Sequence, residues 1–261
     1  MTIAENAYLK LERADEQIRE INQYLLQNPP FGYALETDFF NRTRALFALK
    51  HDLSLKKLVI RCGEALHNIR SALDQLYWEL ISPAIPPEKH KAVYFPISKD
   101  EESLEQTIKS RLGHSLGDTF FLALKSLNCH LGNTGNRFLC LLHEINIDDK
   151  HKFPVPAGNF TRINSVSVQQ QVPDFPNSIV NGGFGRCKKD VVWPLGKYKA
   201  EDLQRIVPPT TDVFLRELDL PVETWLFIDR PEYSGEIIET LRNIHVAAKE
   251  AVDTLVKAVG K

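Results

Sequence analysis

The apolar residues of this chain change period twice, and that change limits the folds open to it more than any other feature. Up to about residue 152 they recur every three or four positions, the spacing of one helix face. From Phe153 they alternate among prolines and glycines, as in half-buried strands, and from Ser234 the helical spacing returns. Such a chain reads as α+β, a helical bundle with a mainly antiparallel β-sheet inserted before the C-terminal helix. The expected organisation is a helical bundle over 1–152 with a short β-hairpin near 32–51, a β-rich insertion over 153–233, and a helix over 234–261 that returns to the bundle.

Ala4, Ala7, Leu11, Ala14, Ile18, Ile21 and Leu25 form a heptad seam that Asn28-Pro29-Pro30 ends. A seam needs a partner helix, in this chain or in a second copy, so a homodimer through it is one expectation. In 31–51 a polar break at Glu36-Thr37-Asp38 suggests the hairpin turn, with a continuous helix as the alternative. Asp52 or Ser54 caps a long helix to about Ile81, stopped by Ser82-Pro83. Shorter helices follow after Ser98 or Asp100 and over 117–127, then one from about Asn136 to near Asp148. Within the insertion, INSVSVQQQV (163–172), 177–198 and 212–229 read as strands, and Ser234 is the expected cap of the last helix.

With 261 residues, 43% hydrophobic and 25% charged, the chain can bury a sizeable core. A net charge of −2 does not announce a nucleic-acid binder, although a local basic patch is compatible with it. Cys62, Cys129, Cys140 and Cys187 form no C-x-x-C pair, which argues against a zinc ribbon and for reduced thiols. Residues 1–17 lack the apolar run of a secretory leader, and no stretch approaches the roughly 18 apolar residues of a membrane span. A cytoplasmic protein without membrane partners is expected. NGGFGRCKK (181–189) lacks the Gly-Lys-Ser/Thr ending of a phosphate loop, and no serine sits in a nucleophile elbow.

The helix over 54–81 carries the first candidate site. Ala65, Leu66, Ile69, Ala72, Leu73, Leu76, Tyr77 and Leu80 share one face at 100° per residue. Glu64, His67, Asn68, Ser71, Asp74, Gln75 and Trp78 share the opposite one, with Arg70 at the border. Solvated faces favour Lys, Glu and Arg, so a stripe of this composition suits a neighbouring helix or a cleft. In LLHEINIDDKHK, His143, Asn146 and Lys150 share one face and Glu144, Asp148 and His151 another, with Asp149 nearby. His245 falls inside the apolar stripe of the last helix, where a hydrogen-bonded core histidine is the more common role.

G-E-A-L-H-N-I-R-S-A-L-D (63–74) followed by L-H-E-I-N-I-D-D-K-H-K (142–152) resembles a widespread set of bacterial proteins that share L-H-N-x-R-S-x-L-D and a later L-H-E-x-N-x-x-D-K-H. The resemblance implies shared positions at His67, Asn68, Arg70, Ser71, Asp74, His143, Glu144, Asn146, Asp149, Lys150 and His151. This chain has Asn146-Ile147-Asp148-Asp149 where the common pattern has Asn-Asn-Ile-Asp. Arg61–His67 and Arg137–His143 also match the Arg-x(4-6)-His signature of HEPN ribonucleases, as does Arg44–His51.

Three functions are compatible with these residues. The first is metal-independent cleavage of an RNA phosphodiester, or sensing of a nucleotide, in a cleft between the 54–81 and 136–151 helices. There His67 or His143 moves the proton, Arg70 and Lys150 hold phosphate, Asn68 and Asn146 orient groups, and His245 reaches in. The second is a divalent-metal site using Glu64, His67, Glu144 and His151, because Glu64-x-x-His67 has the spacing of carboxylate-bridged di-iron bundles. The third is not catalytic: a polar network, including an Arg70–Asp74 pair, fixes helix order while the heptad helix binds a partner.

Overall fold

The computed structural model describes residues 4–132, 134–151, 157–162, 165–173, 175, 189–197, 213–220, 223–226 and 235–260. The protein is α+β and divides into two compact units. One comprises 1–23, 59–155 and 238–261, and the other 24–58 and 156–237.

Helix α1 (Glu5–Gln27) opens the helical unit, and the hairpin β1 (Phe31–Asp38) and β2 (Thr43–Lys50) connects it to α2 (Asp52–Ile81). Short 3-10 turns at Ser82–Ala84 and Pro87–Ala92 follow α2, each with proline in its first turn, where a missing N–H costs nothing. Then come α3 (Leu104–Ser110), α4 (Asp118–Ser126) and α5 (Arg137–His151). Asp100 accepts the Ser103 N–H at 2.8 Å, and Asn136 accepts the Leu139 N–H at 3.1 Å as the cap of α5. The unit closes with α7 (Ile237–Val259), which follows α6 (Ser165–Gln171) and the later strands of the other unit. Ser234, the expected cap, lies outside the described residues.

The heptad seam of α1 is spent within this chain. Ala4, Ala7, Leu11, Ala14, Ile18 and Ile21 are all buried. They share the core with Leu66, Ile69, Leu73 and Leu76 of α2 and Leu241, Ile244, Ala248 and Val252 of α7. Burial of this stripe is what makes α1 a stable helix. Within the helical unit this stripe is therefore covered by its own chain up to Ile21, while Leu25 at its end is half-buried. Polar ties reinforce the packing: Tyr8 donates its hydroxyl to Asp253 at 2.6 Å, and Glu79 accepts the Ala4 N–H at 3.3 Å.

The second unit holds β3 (Ala157–Arg162), β4 (Lys189–Lys197), β5 (Val213–Leu218), β6 (Glu223–Leu226) and β7 (Gly235–Glu236). β4-β2-β1-β5 form one sheet and β3-β6-β7 another, with every pairing antiparallel. The hairpin therefore does not belong with the helical bundle as expected. Its strands are the two central strands of a sheet whose flanks come from the later insertion. Register explains its core: Tyr33 faces Ala48 and Leu35 faces Leu46, all buried on one face.

Two local expectations are corrected here. Glu36, Thr37 and Asp38 are strand residues, and the turn is 39–42, where the Asp38 carboxylate accepts the Asn41 N–H at 2.8 Å and Arg42 takes a left-handed φ of 54°. Residues 165–171 form a helix rather than a strand. Val168 and Val172, one turn apart, are buried against the sheet core with Phe175 and Val192, while Val166 is exposed. The glycine-rich 181–188 lie outside the described residues.

Candidate polar centre and groove on α2

The polar stripe of α2 divides into two environments. Inward, Arg70 is 5% exposed and forms a bidentate pair with Asp74, Nε to Oδ2 at 3.0 Å and Nη2 to Oδ1 at 2.9 Å. The pair grips both backbone groups of Phe95: Asp74 Oδ1 accepts its N–H at 3.0 Å, and Arg70 Nη2 donates to its carbonyl at 3.1 Å. The Arg70 guanidinium also lies 5.9 Å from the Phe95 ring centroid. The third guanidinium nitrogen, Nη1, is buried with no hydrogen-bond partner among the described residues.

His143 of α5 is half-buried within the electrostatic reach of this pair. Burial, then the Arg70 charge, push its pKa from 6.5 down to about 4, against a smaller upward pull from Asp74. It is neutral at pH 7. Burial likewise raises the thiols of Cys129 and Cys140, the latter to about 12, with the Glu144 carboxylate adding to the effect at Cys140. These are packed thiols rather than nucleophiles. Cys140 donates to the His130 carbonyl at 2.9 Å. The loop around that carbonyl is so close that a Cβ on Gly135 would lie 1.8 Å from it.

His67 has different surroundings. It is exposed, and its ring meets Ser71 Oγ on its own helix at 3.4 Å. Glu64 is exposed as well. Asn68 turns towards α1, donating to Gln17 Oε1 at 2.8 Å and accepting from Lys10 Nζ at 3.1 Å. His245 is tied to the Leu11 carbonyl at 2.9 Å, which fixes Nε2 as the protonated nitrogen and makes it a tether between α7 and α1. Of α5 the backbone is described to His151, but the side chains of Asn146, Asp149, Lys150 and His151 lie outside the described residues. Among the described residues, no group of three or more His, Cys, Asp and Glu is placed to hold a metal ion.

Besides a pocket of about 300 Å³ between the end of α4, the start of α5 and α7, open space lies on the flank of α2 that meets α1. One groove segment of about 470 Å³ is lined by Lys10, Arg13, Asn68 and Leu9, together with Asn6 and Gln75. A second of about 620 Å³ is lined by Asp74, Trp78, Glu79 and Val93, again with Asn6 and Gln75. The two shared residues join the segments into one groove with unlike ends, and among the described residues no histidine lines either. Trp78 is 42% exposed and braced by His90, the two rings packing in a T shape with centroids 4.8 Å apart. His90 is in turn held by the Ser82 carbonyl at 3.3 Å. Lys10 and Arg13 escaped the sequence reading because they occupy outward positions of a heptad helix, where charge is ordinarily only solvation.

Comparison with family models, with curated proteins and with solved structures gives no match. Among the described residues, no helix is long and apolar enough to cross a membrane.

Proposed function

We propose that this protein binds a nucleotide, free or at the end of an RNA, in the groove between α1 and α2, and senses rather than cleaves it. The observation that supports this reading is the groove's change of character along its length. Lys10 and Arg13 supply cations at one end, and a braced, half-exposed indole with hydrogen-bonding groups occupies the other. A phosphate needs the first end and a base the second, since every base has a π-face to stack. Lys10 is held in place by Asn68, and Asn68 by Gln17. Arg13 pairs with Glu16 and Glu20 in exposed bridges, which are weak enough to exchange for phosphate.

Cleavage fits the same surroundings poorly. Arg70 is already committed to Asp74 and Phe95, and His143 at a pKa of about 4 is a weak base at neutral pH. Calorimetric titration with nucleoside monophosphates and short RNA tests the reading. Trp78→Ala is expected to weaken binding by about 1–3 kcal/mol, and Lys10→Ala with Arg13→Ala to weaken it while flattening its salt dependence. Native protein that binds neither ligand class at millimolar concentration, or a Trp78→Ala variant with unchanged affinity, defeats the proposal.

A further inference from the structure

Resting on that reading, we infer that the base end of the groove selects a purine presenting two adjacent N–H donors, as guanine does, over one presenting a donor beside an acceptor, as adenine does. Asp74 Oδ1 is saturated, accepting from Arg70 Nη2 and from the Phe95 N–H. Among the described residues Oδ2 accepts only from Arg70 Nε at 3.0 Å, so one lone pair stays available on a side chain that is 36% exposed. Glu79 supplies the second carboxylate of this groove segment, and among the described residues its Oε2 is engaged only by the long 3.3 Å contact from Ala4 N–H. No cationic side chain of the described residues lines the segment.

The Trp78 edge of the groove therefore offers two carboxylates as acceptors, and Glu79 gives it a net negative charge, that of Asp74 being offset by Arg70. Guanine N1–H and its 2-amino group are donors side by side, matching the two carboxylates in number and in kind. Adenine sets its N1 lone pair beside the 6-amino group, and that lone pair meets a carboxylate, leaving like against like. Arg70 offsets the charge of Asp74, so the charge of Glu79 sets the polarity of the ligand, turning phosphate away from this end and towards Lys10 and Arg13. Asn6 and Gln75, where the two ends meet, carry amides that serve either as donor or as acceptor.

The test uses the unmodified full chain and three ligands that differ only at the base edge: GMP, IMP (which lacks the 2-amino group) and AMP. Calorimetric titration is expected to rank them GMP, then IMP, then AMP, with roughly tenfold for each lost or mismatched charge-assisted hydrogen bond. Equal affinity for all three, or AMP tightest, overturns the donor-pair inference and leaves the groove as a nucleotide site. Absence of binding by all three overturns the donor-pair inference, and absence of binding by the pyrimidine monophosphates and short RNA as well overturns the nucleotide reading with it. A Glu79→Gln variant adds an independent check: it is expected to narrow the gap between GMP and IMP, and an unchanged gap removes Glu79 from the inference.

Discussion

Asp74 accepts three hydrogen bonds, two from Arg70 and one from the Phe95 N–H. Its removal leaves a buried guanidinium without its counter-charge and a backbone donor without its acceptor. Asp74→Ala is expected to cost about 3 kcal/mol of unfolding free energy in urea titration, the low end for a broken buried pair because the Asp74 side chain is 36% exposed. His143 gives a second expectation. Its folded pKa of about 4 lies below the ordinary 6.5, so between those values the unfolded chain takes up a proton that the folded chain refuses. Stability therefore falls as pH drops through that window, and the contribution is fully present above 6.5. Urea midpoints across the window should show a shallower acid slope in His143→Gln than in the native protein. Equal slopes would mean that His143 protonates freely in the folded state.

At the scale of elements, α1 decides between two uses of one pattern. A seam serving a second copy, when truncated, shifts the monomer–dimer equilibrium; a seam buried within the chain loses stability instead. Ile18 is 1% exposed. Ile18→Ala is expected to lower stability by about 2–4 kcal/mol with the sedimenting mass unchanged. Long, strongly periodic elements such as α1, α2 and α7 could be read from residue order alone, because their burial follows their own repeat. Residues 165–171 could not. Val166 and Val168 alternate as in a strand, yet Val168 and Val172 are the buried pair, and only the sheet they cover decides between the two. The candidate site was readable to the same degree. The Arg70–Asp74 pair is an i,i+4 relation visible in the chain, whereas its grip on Phe95 spans residues with no shared period. The contribution of Lys10 and Arg13 depends on α1 lying beside α2, which no local pattern states.

Across the whole molecule, the sheet unit is built from two distant pieces of chain, 24–58 and 156–237. Removing 156–237 alone strips β1 and β2 of both flanking strands and uncovers Tyr33, Leu35, Leu46 and Ala48. That deletion is expected to aggregate, because unpaired strand edges and bare apolar faces recruit other chains. Joining residue 23 to 59 and 155 to 238 removes the hairpin as well and should elute as a soluble species on size exclusion. Insolubility of both deletions would show that the helical unit does not fold without the sheet.

The discontinuous sheet also sets a timetable for synthesis. β1 is complete at Asp38, but β5, which pairs with its free edge, begins only at Val213. At translation speeds of about 5–20 residues per second, the nascent hairpin waits roughly 10–35 s for its neighbour to leave the ribosome. Throughout that interval a naked β-edge stands open, which makes this hairpin the place where a holding chaperone would be most useful.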